Sequence, residues 1–136
     1  MKKKIIKALN DQLNAEFFSA YLYFSMAAYF NDTNLSGFAH WMRLQVQEER
    51  MHCQKLADFI SERRGRVVLE SIKKPQHTWE SPLNAIENAF EHERMISRKI
   101  NDLVTLSLEE NDNATYNFLQ WFVSEQVEEE SAVDAI

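Results

Sequence analysis

The chain has 136 residues, 45% apolar and 26% charged, with two Gly, two Pro, a single cysteine and a net charge of −6. That length fits one domain able to bury a core without disulfide or structural-metal staples, and so few breakers point to long helices. The acidic balance disfavours a general nucleic-acid role. Cys53 alone forms no internal disulfide and fits a reducing compartment, and no apolar run is long enough for a signal sequence or a membrane span, so the chain reads as cytoplasmic.

Four stretches carry helical, heptad-like apolar spacing. The first runs from about Lys3 to Phe30, with the stripe Leu9, Leu13, Glu16, Ala20, Tyr23, Ala27, Phe30. The second runs from about Asn34 to Arg64, with the stripe Phe38, Met42, Gln45, Glu49, His52, Leu56, Phe59, and Gly65 is its expected C-cap. The third starts at Ser81-Pro82, an N-cap followed by proline at the first helical position, and its stripe is Ile86, Ala89, Glu93, Ile96, Ile100, Leu103. The fourth starts near Asp112-Asn113, with the stripe Phe118, Phe122, Glu125, Glu129, Ala132, Ile136. Its pattern is still running at Ile136, so this helix is expected to be cut short.

Alternating four- and three-residue steps favour bundle packing. The links at Asn31-Asp32-Thr33 and Asn111–Asn113 are short and make antiparallel hairpins. The segment from Arg66 to Glu80, carrying Pro75, is long enough to run the length of the bundle. The expected fold is therefore all-α: an antiparallel four-helix bundle, residues 1–136 in a single domain, with one long crossover between the second and third helices.

Glu16, Glu49, His52, Glu93 and Glu129 fall at core-facing positions, so every helix contributes at least one carboxylate. Taken singly, a glutamate in a stripe is more often a helix-edge residue whose head reaches water, and a histidine a hydrogen-bonded core residue. The coincidence changes the balance. Four interruptions near the helix middles bring the carboxylates together, where unpaired charge is costly or stays protonated. Two divalent cations would neutralise them. Glu49-Arg50-Met51-His52 is an E-x-x-H element whose two ends share one helix face. Carboxylate oxygen with one imidazole and no thiolate suits Fe(II), Mn(II) or Zn(II).

Several runs are similar to a known family: Leu13-Asn14-Ala15-Glu16, Glu48-Glu49-Arg50-Met51-His52, Phe90-Glu91-His92-Glu93, Asn117-Phe118-Leu119-Gln120-Trp121-Phe122-Val123-Ser124-Glu125-Gln126, and Val127-Glu128-Glu129-Glu130. Over its whole length the chain resembles the bacterial non-haem ferritins. The resemblance implies an iron-storage subunit with a dinuclear iron site that oxidises Fe(II) with O2. By position, Glu16, Glu49 and His52 would hold the first iron, Glu49 would bridge, and Glu93 and Glu129 would complete the second. Gln126 would hydrogen-bond near the second iron, and Tyr23 matches a tyrosine beside the site. Glu48, Glu125 and Glu128 match a third, weaker iron site on the inner surface. The resemblance also implies a homo-oligomer, a 24-subunit cage in the full-length protein, and family subunits continue into a short fifth helix that this sequence stops before.

Near relatives differ at readable positions. Bacterioferritins and rubrerythrins carry a second E-x-x-H on the fourth helix, where Ala132 stands three residues after Glu129 here. Bacterioferritins place a haem-ligating methionine directly after the bridging glutamate, where Arg50 stands, so no haem is expected. Starvation-type mini-ferritins build their site between subunits, whereas all five ligands here lie in one chain. Two rival readings stand beside the ferroxidase: a rubrerythrin-like diiron peroxidase, which would need an electron donor, and a non-enzymatic bundle that binds Zn(II). Lys2 to Lys4 read as a solvated helix start, and Cys53, His40, His77 and His92 fall outside the inferred site.

Overall fold

The four periodic stretches become four helices: α1 (Lys3–Asp32), α2 (Ser36–Glu62), α3 (Pro82–Glu109) and α4 (Asn113–Asp134). The computed structural model describes residues 1–136 throughout. No helix is long and apolar enough to cross a membrane.

Local chemistry sets the helix ends. Ser81 caps α3, its hydroxyl accepting from the Asn84 amide, and Pro82 opens the first turn. Asp112 caps α4 by accepting from the Thr115 amide at 3.1 Å. The exits of α1, α2 and α3 share one device. Asn34, Arg64 and Asn111 each adopt a left-handed conformation, with φ of 62°, 63° and 55°. The amide after each reaches back 2.8 Å to the carbonyl five residues earlier: Leu35 to Phe30, Gly65 to Ile60, and Asp112 to Ser107.

This corrects the expected role of Gly65. The left-handed residue is Arg64, and Gly65 has no positive φ. A Cβ at Gly65 would meet Ile60 Cγ2 at 3.0 Å and the Ile60 carbonyl oxygen at 3.2 Å. Glycine is needed there for close approach, not for conformation.

The short links between α1 and α2 and between α3 and α4 fold each pair into an antiparallel hairpin, and α1 also packs on α3. Across the α2–α4 seam, Phe59 and Phe118 stack with centroids 3.9 Å apart. The crossover, residues 63–81, runs up along α1. Asn10 brackets it, donating to the Arg66 carbonyl and accepting from the Val68 amide; Asn14 does the same with Val68 and Glu70. Further along, Ser25 donates to the Gln76 carbonyl. Trp79 anchors the upper end, buried against Tyr29 and donating to Asn88.

The stripes of α1 and α3 are buried as the spacing predicts. Those of α2 and α4 are displaced in part. Ala39 and Ile60 are buried where Phe38 and Phe59 were expected, and Leu119, Gln126 and Val133 where Phe118, Glu125 and Ala132 were. The aromatic rings are wide enough to seal the seams while their smaller neighbours fill the centre.

The core falls into two apolar clusters. One gathers Met26, Phe30, Met42 and Ala89, and the other gathers Leu9, Leu56, Ile100 and Leu119. Between them lies a polar layer.

Candidate metal centre

That layer is made of Glu16 from α1, Glu49 and His52 from α2, Glu93 from α3, and Gln126 and Glu129 from α4, every one buried. Each sits at an in-phase position of its helix, so regular packing turns all of them to the bundle axis. Ligand atoms of Glu16, Glu49 and His52 lie within 4.8 Å of one another, and so do those of Glu49, Glu93 and Glu129. Glu49 belongs to both trios.

The protein leaves the first trio unsatisfied. Glu16 Oε2, both Glu49 oxygens and both His52 ring nitrogens are buried without a hydrogen-bond partner. His52 Nδ1 is 3.3 Å from Glu49 Oε2 and 3.8 Å from Glu16 Oε2, close contacts rather than hydrogen bonds. Five orphaned polar atoms at one point are far outside the norm for a folded interior. A divalent cation is the partner that oxygen and imidazole donors of this kind accept. In the second trio the protein supplies partners to Glu93. Tyr23 donates its hydroxyl to Glu93 Oε1, and the Gln126 amide donates to Glu93 Oε2 at 3.1 Å and contacts Ser97.

The electrostatics agree. Burial pushes the Glu49 carboxyl well up, and the neighbouring Glu16 charge adds to it. Burial with the adjacent Glu48 and Glu93 pushes Glu129 up to about 10. Glu93 is raised by burial despite its bonds from Tyr23 and Gln126. Burial also pushes Glu16 upward, but Glu49 and His52 beside it outweigh this and hold it low. At His52, burial opposes protonation, and the Glu16 carboxylate outweighs it and raises the ring. Tyr23 is raised by burial and by Glu93. Without a cation, burial among like charges favours the protonated forms of Glu49 and Glu129.

The predicted third site is assembled differently. Glu48 and Glu125 are half-buried and Glu128 is exposed. Ligand atoms of Glu125 converge with those of His52 and Glu129, while Glu48 and Glu128 join no such trio. They form an acidic margin instead: after burial, Glu128 and Glu48 help raise Glu125.

Sequence reasoning passed over two neighbours of the layer. Gln12, buried one turn before Glu16, donates to Glu16 Oε1. His92 is buried beside Tyr23, its Nε2 2.7 Å from Ser19 Oγ, and burial holds its ring down to about 4. Glutamine beside an apolar stripe carries no distinguishing signal. His92, next to Glu93, could be read from spacing alone only as lying off the stripe. Cys53 is buried against α1, its thiol pushed up to about 12 by burial, and lies outside the layer.

Comparison with known proteins agrees with this arrangement. A family model described as a ferritin-like domain matches residues 6–136. The chain is 43% identical over 136 residues to the bacterial non-heme ferritin of Bacteroides fragilis (strain 638R), an alignment covering 100% of this chain and 86% of that protein. Among solved structures it is similar to an open-pore ferritin from the hyperthermophilic archaeon Archaeoglobus fulgidus, with a TM-score of 0.97 and 53% identity over 98% of this chain and 82% of that one. Chlorobium tepidum ferritin matches with a TM-score of 0.97 and 38% identity over 99% of this chain and 82% of that one. With its fold, its buried carboxylate layer and these relatives in agreement, the chain belongs to the ferritin family.

Proposed function

We propose that this iron-storage ferritin subunit is a ferroxidase that binds two Fe(II) ions within a single chain, as substrate, and oxidises them with O2. Glu16, Glu49 and His52 receive one ion; Glu49, Glu93 and Glu129 receive the other. The observation that carries this reading is Glu49, which belongs to both trios and has both oxygens unpartnered. A shared carboxylate holds two ions near enough for one O2 to take an electron from each. Two Fe(II) lose one electron apiece, and O2 gains two electrons and two protons and leaves as hydrogen peroxide.

The residues have separable tasks. Cations entering displace the protons that burial favours on Glu49 and Glu129, and the four carboxylate charges then balance two Fe(II) ions. Tyr23 and Gln126 hold Glu93 in a fixed orientation until it is needed. The two apolar clusters above and below keep bulk water away and strengthen the electrostatics between them. Glu48, Glu125 and Glu128 form an acidic exit, where Fe(III) leaves toward a stored mineral. The absence of a methionine beside Glu49 fits a centre without haem.

We read the subunit as part of a cytoplasmic homo-oligomeric cage, of 24 copies in the full-length protein. Tyr21, Phe24 and Ile72 support association: they line one outward groove with Phe17 and Val46, and apolar surface of that kind favours burial against another copy.

The direct test is O2 uptake after adding two Fe(II) per metal-free chain. The proposal expects one O2 consumed per two iron, with Glu49→Ala slowed to the rate of free iron. Wild-type uptake in that variant would overturn the assignment to Glu49, and a wild type no faster than free iron would leave a passive metal-binding bundle.

A further inference from the structure

Gln12 lies on α1 one turn before Glu16 and is only 3% exposed. Its Nε2 donates to Glu16 Oε1 at 3.2 Å. The other Glu16 oxygen has no partner and faces His52 Nδ1 at 3.8 Å. On its far side Gln12 borders a groove on the α1–α3 seam, beside Asp11, Lys99 and Asp102. It therefore stands between solvent and the carboxylate layer. A leucine would fill that position without the cost of burying an amide. The amide makes sense if the hydrogen bond it gives to Glu16 has a use.

We propose that Gln12 is a positioning residue for the ferroxidase reaction: its amide occupies one oxygen of Glu16, so that the other oxygen alone faces the ion shared with Glu49 and His52. The inference rests on the metal-site reading above. A carboxylate can hold a cation through one oxygen or through both. A fixed donor on Oε1 removes the second mode and stops the group from rotating. The first ion then keeps a coordination position for O2 that a two-oxygen carboxylate would fill. Glu93 has no such bias, since Tyr23 and Gln126 take one oxygen each. The two halves of the centre are thus prepared differently, and Gln12 makes the difference on the Glu16 side. Groups that orient a ligand in this way commonly change metal affinity by about 10- to 100-fold when removed.

The test uses Co(II), which does not react with O2 on the same path and reports its coordination number in its visible absorption. Co(II) is titrated calorimetrically and spectroscopically into the metal-free wild type, Gln12→Leu and Gln12→Met. Both substitutions keep the volume and lose the donor, and Met needs no branching at Cγ should Leu fail to fit. The expected result is two Co(II) per wild-type chain. In both variants one of the two binds about tenfold more weakly or worse, and its absorption falls as Glu16 swings to two-oxygen binding. Placed on a Glu16→Gln background, the same substitutions have no further effect on metal binding, because no carboxylate remains there for Gln12 to orient. Unchanged affinity and absorption in both variants would overturn the proposal. So would an equal loss with and without the Glu16 carboxylate, which would put the action of Gln12 elsewhere. A wild-type chain that takes up no Co(II) overturns the metal-site reading itself, and the inference with it.

Discussion

At Glu129 a buried carboxyl burdens the metal-free chain. The carboxyl is buried between Glu48 and Glu93, and its pKa stands near 10. Glu129→Gln keeps the shape and removes the cost of holding a proton that the unfolded chain releases. At pH 8 the metal-free variant should be more stable than the wild type by about 1–3 kcal/mol, the scale of an unsatisfied buried polar group. It should also bind one Co(II) fewer. Chemical denaturation and calorimetric titration check the pair, and a variant that loses stability would show that the carboxylate is no burden to the fold. Glu49 differs because it serves both trios, so Glu49→Ala should weaken both ions together in the same titration. Loss of a single ion would place the bridge elsewhere.

The helices show how far a sequence pattern reaches. On α1 and α3 every residue on the line that the spacing picks out is buried. On α2 and α4 two apolar residues stand side by side, Phe59 with Ile60 and Phe118 with Leu119. Periodicity alone does not choose between them. The choice is made across the seam, where Phe59 and Phe118 stack and leave Ile60 and Leu119 to the centre. The five charged candidates were legible because a carboxylate or imidazole in an apolar line is conspicuous. Gln12 was not, and neither were Asn10 and Asn14. Asparagine reads as a turn former, whereas here both side chains tie the crossover to a helix. Asn14→Ala should therefore leave the helices intact and speed hydrogen exchange at the Glu70 amide, which Asn14 Oδ1 accepts at 2.8 Å. Unchanged exchange there would show the crossover held by other contacts. Ser81→Ala should cost about 1 kcal/mol of stability in thermal unfolding, the usual worth of an N-cap. A neutral result would mean Pro82 alone sets the start of α3.

For the whole molecule, two apolar clusters stabilise the ends of the bundle and carry between them a layer of buried carboxylates that opposes folding. This gives the metal-free protein a signed pH dependence. A carboxyl whose folded pKa exceeds its unfolded one holds its proton longer in the folded state. Its contribution is fully present below the ordinary carboxylate range and is lost as pH rises through the folded value. Glu49 and Glu129 are both raised in this way. The metal-free chain should therefore lose stability between pH 6 and pH 9, and saturating Zn(II) should abolish the loss, as read by urea unfolding at each pH. Stability that rises with pH in the metal-free protein would contradict the assignment. The central claim is that two ions sit on either side of Glu49 within one chain, and anomalous diffraction at the iron edge tests it most directly. On crystals soaked anaerobically in Fe(II), the account predicts two peaks per subunit, one among Glu16, Glu49 and His52 and the other among Glu49, Glu93 and Glu129. A single peak, or iron found only along the acidic margin at Glu48, Glu125 and Glu128, would contradict it.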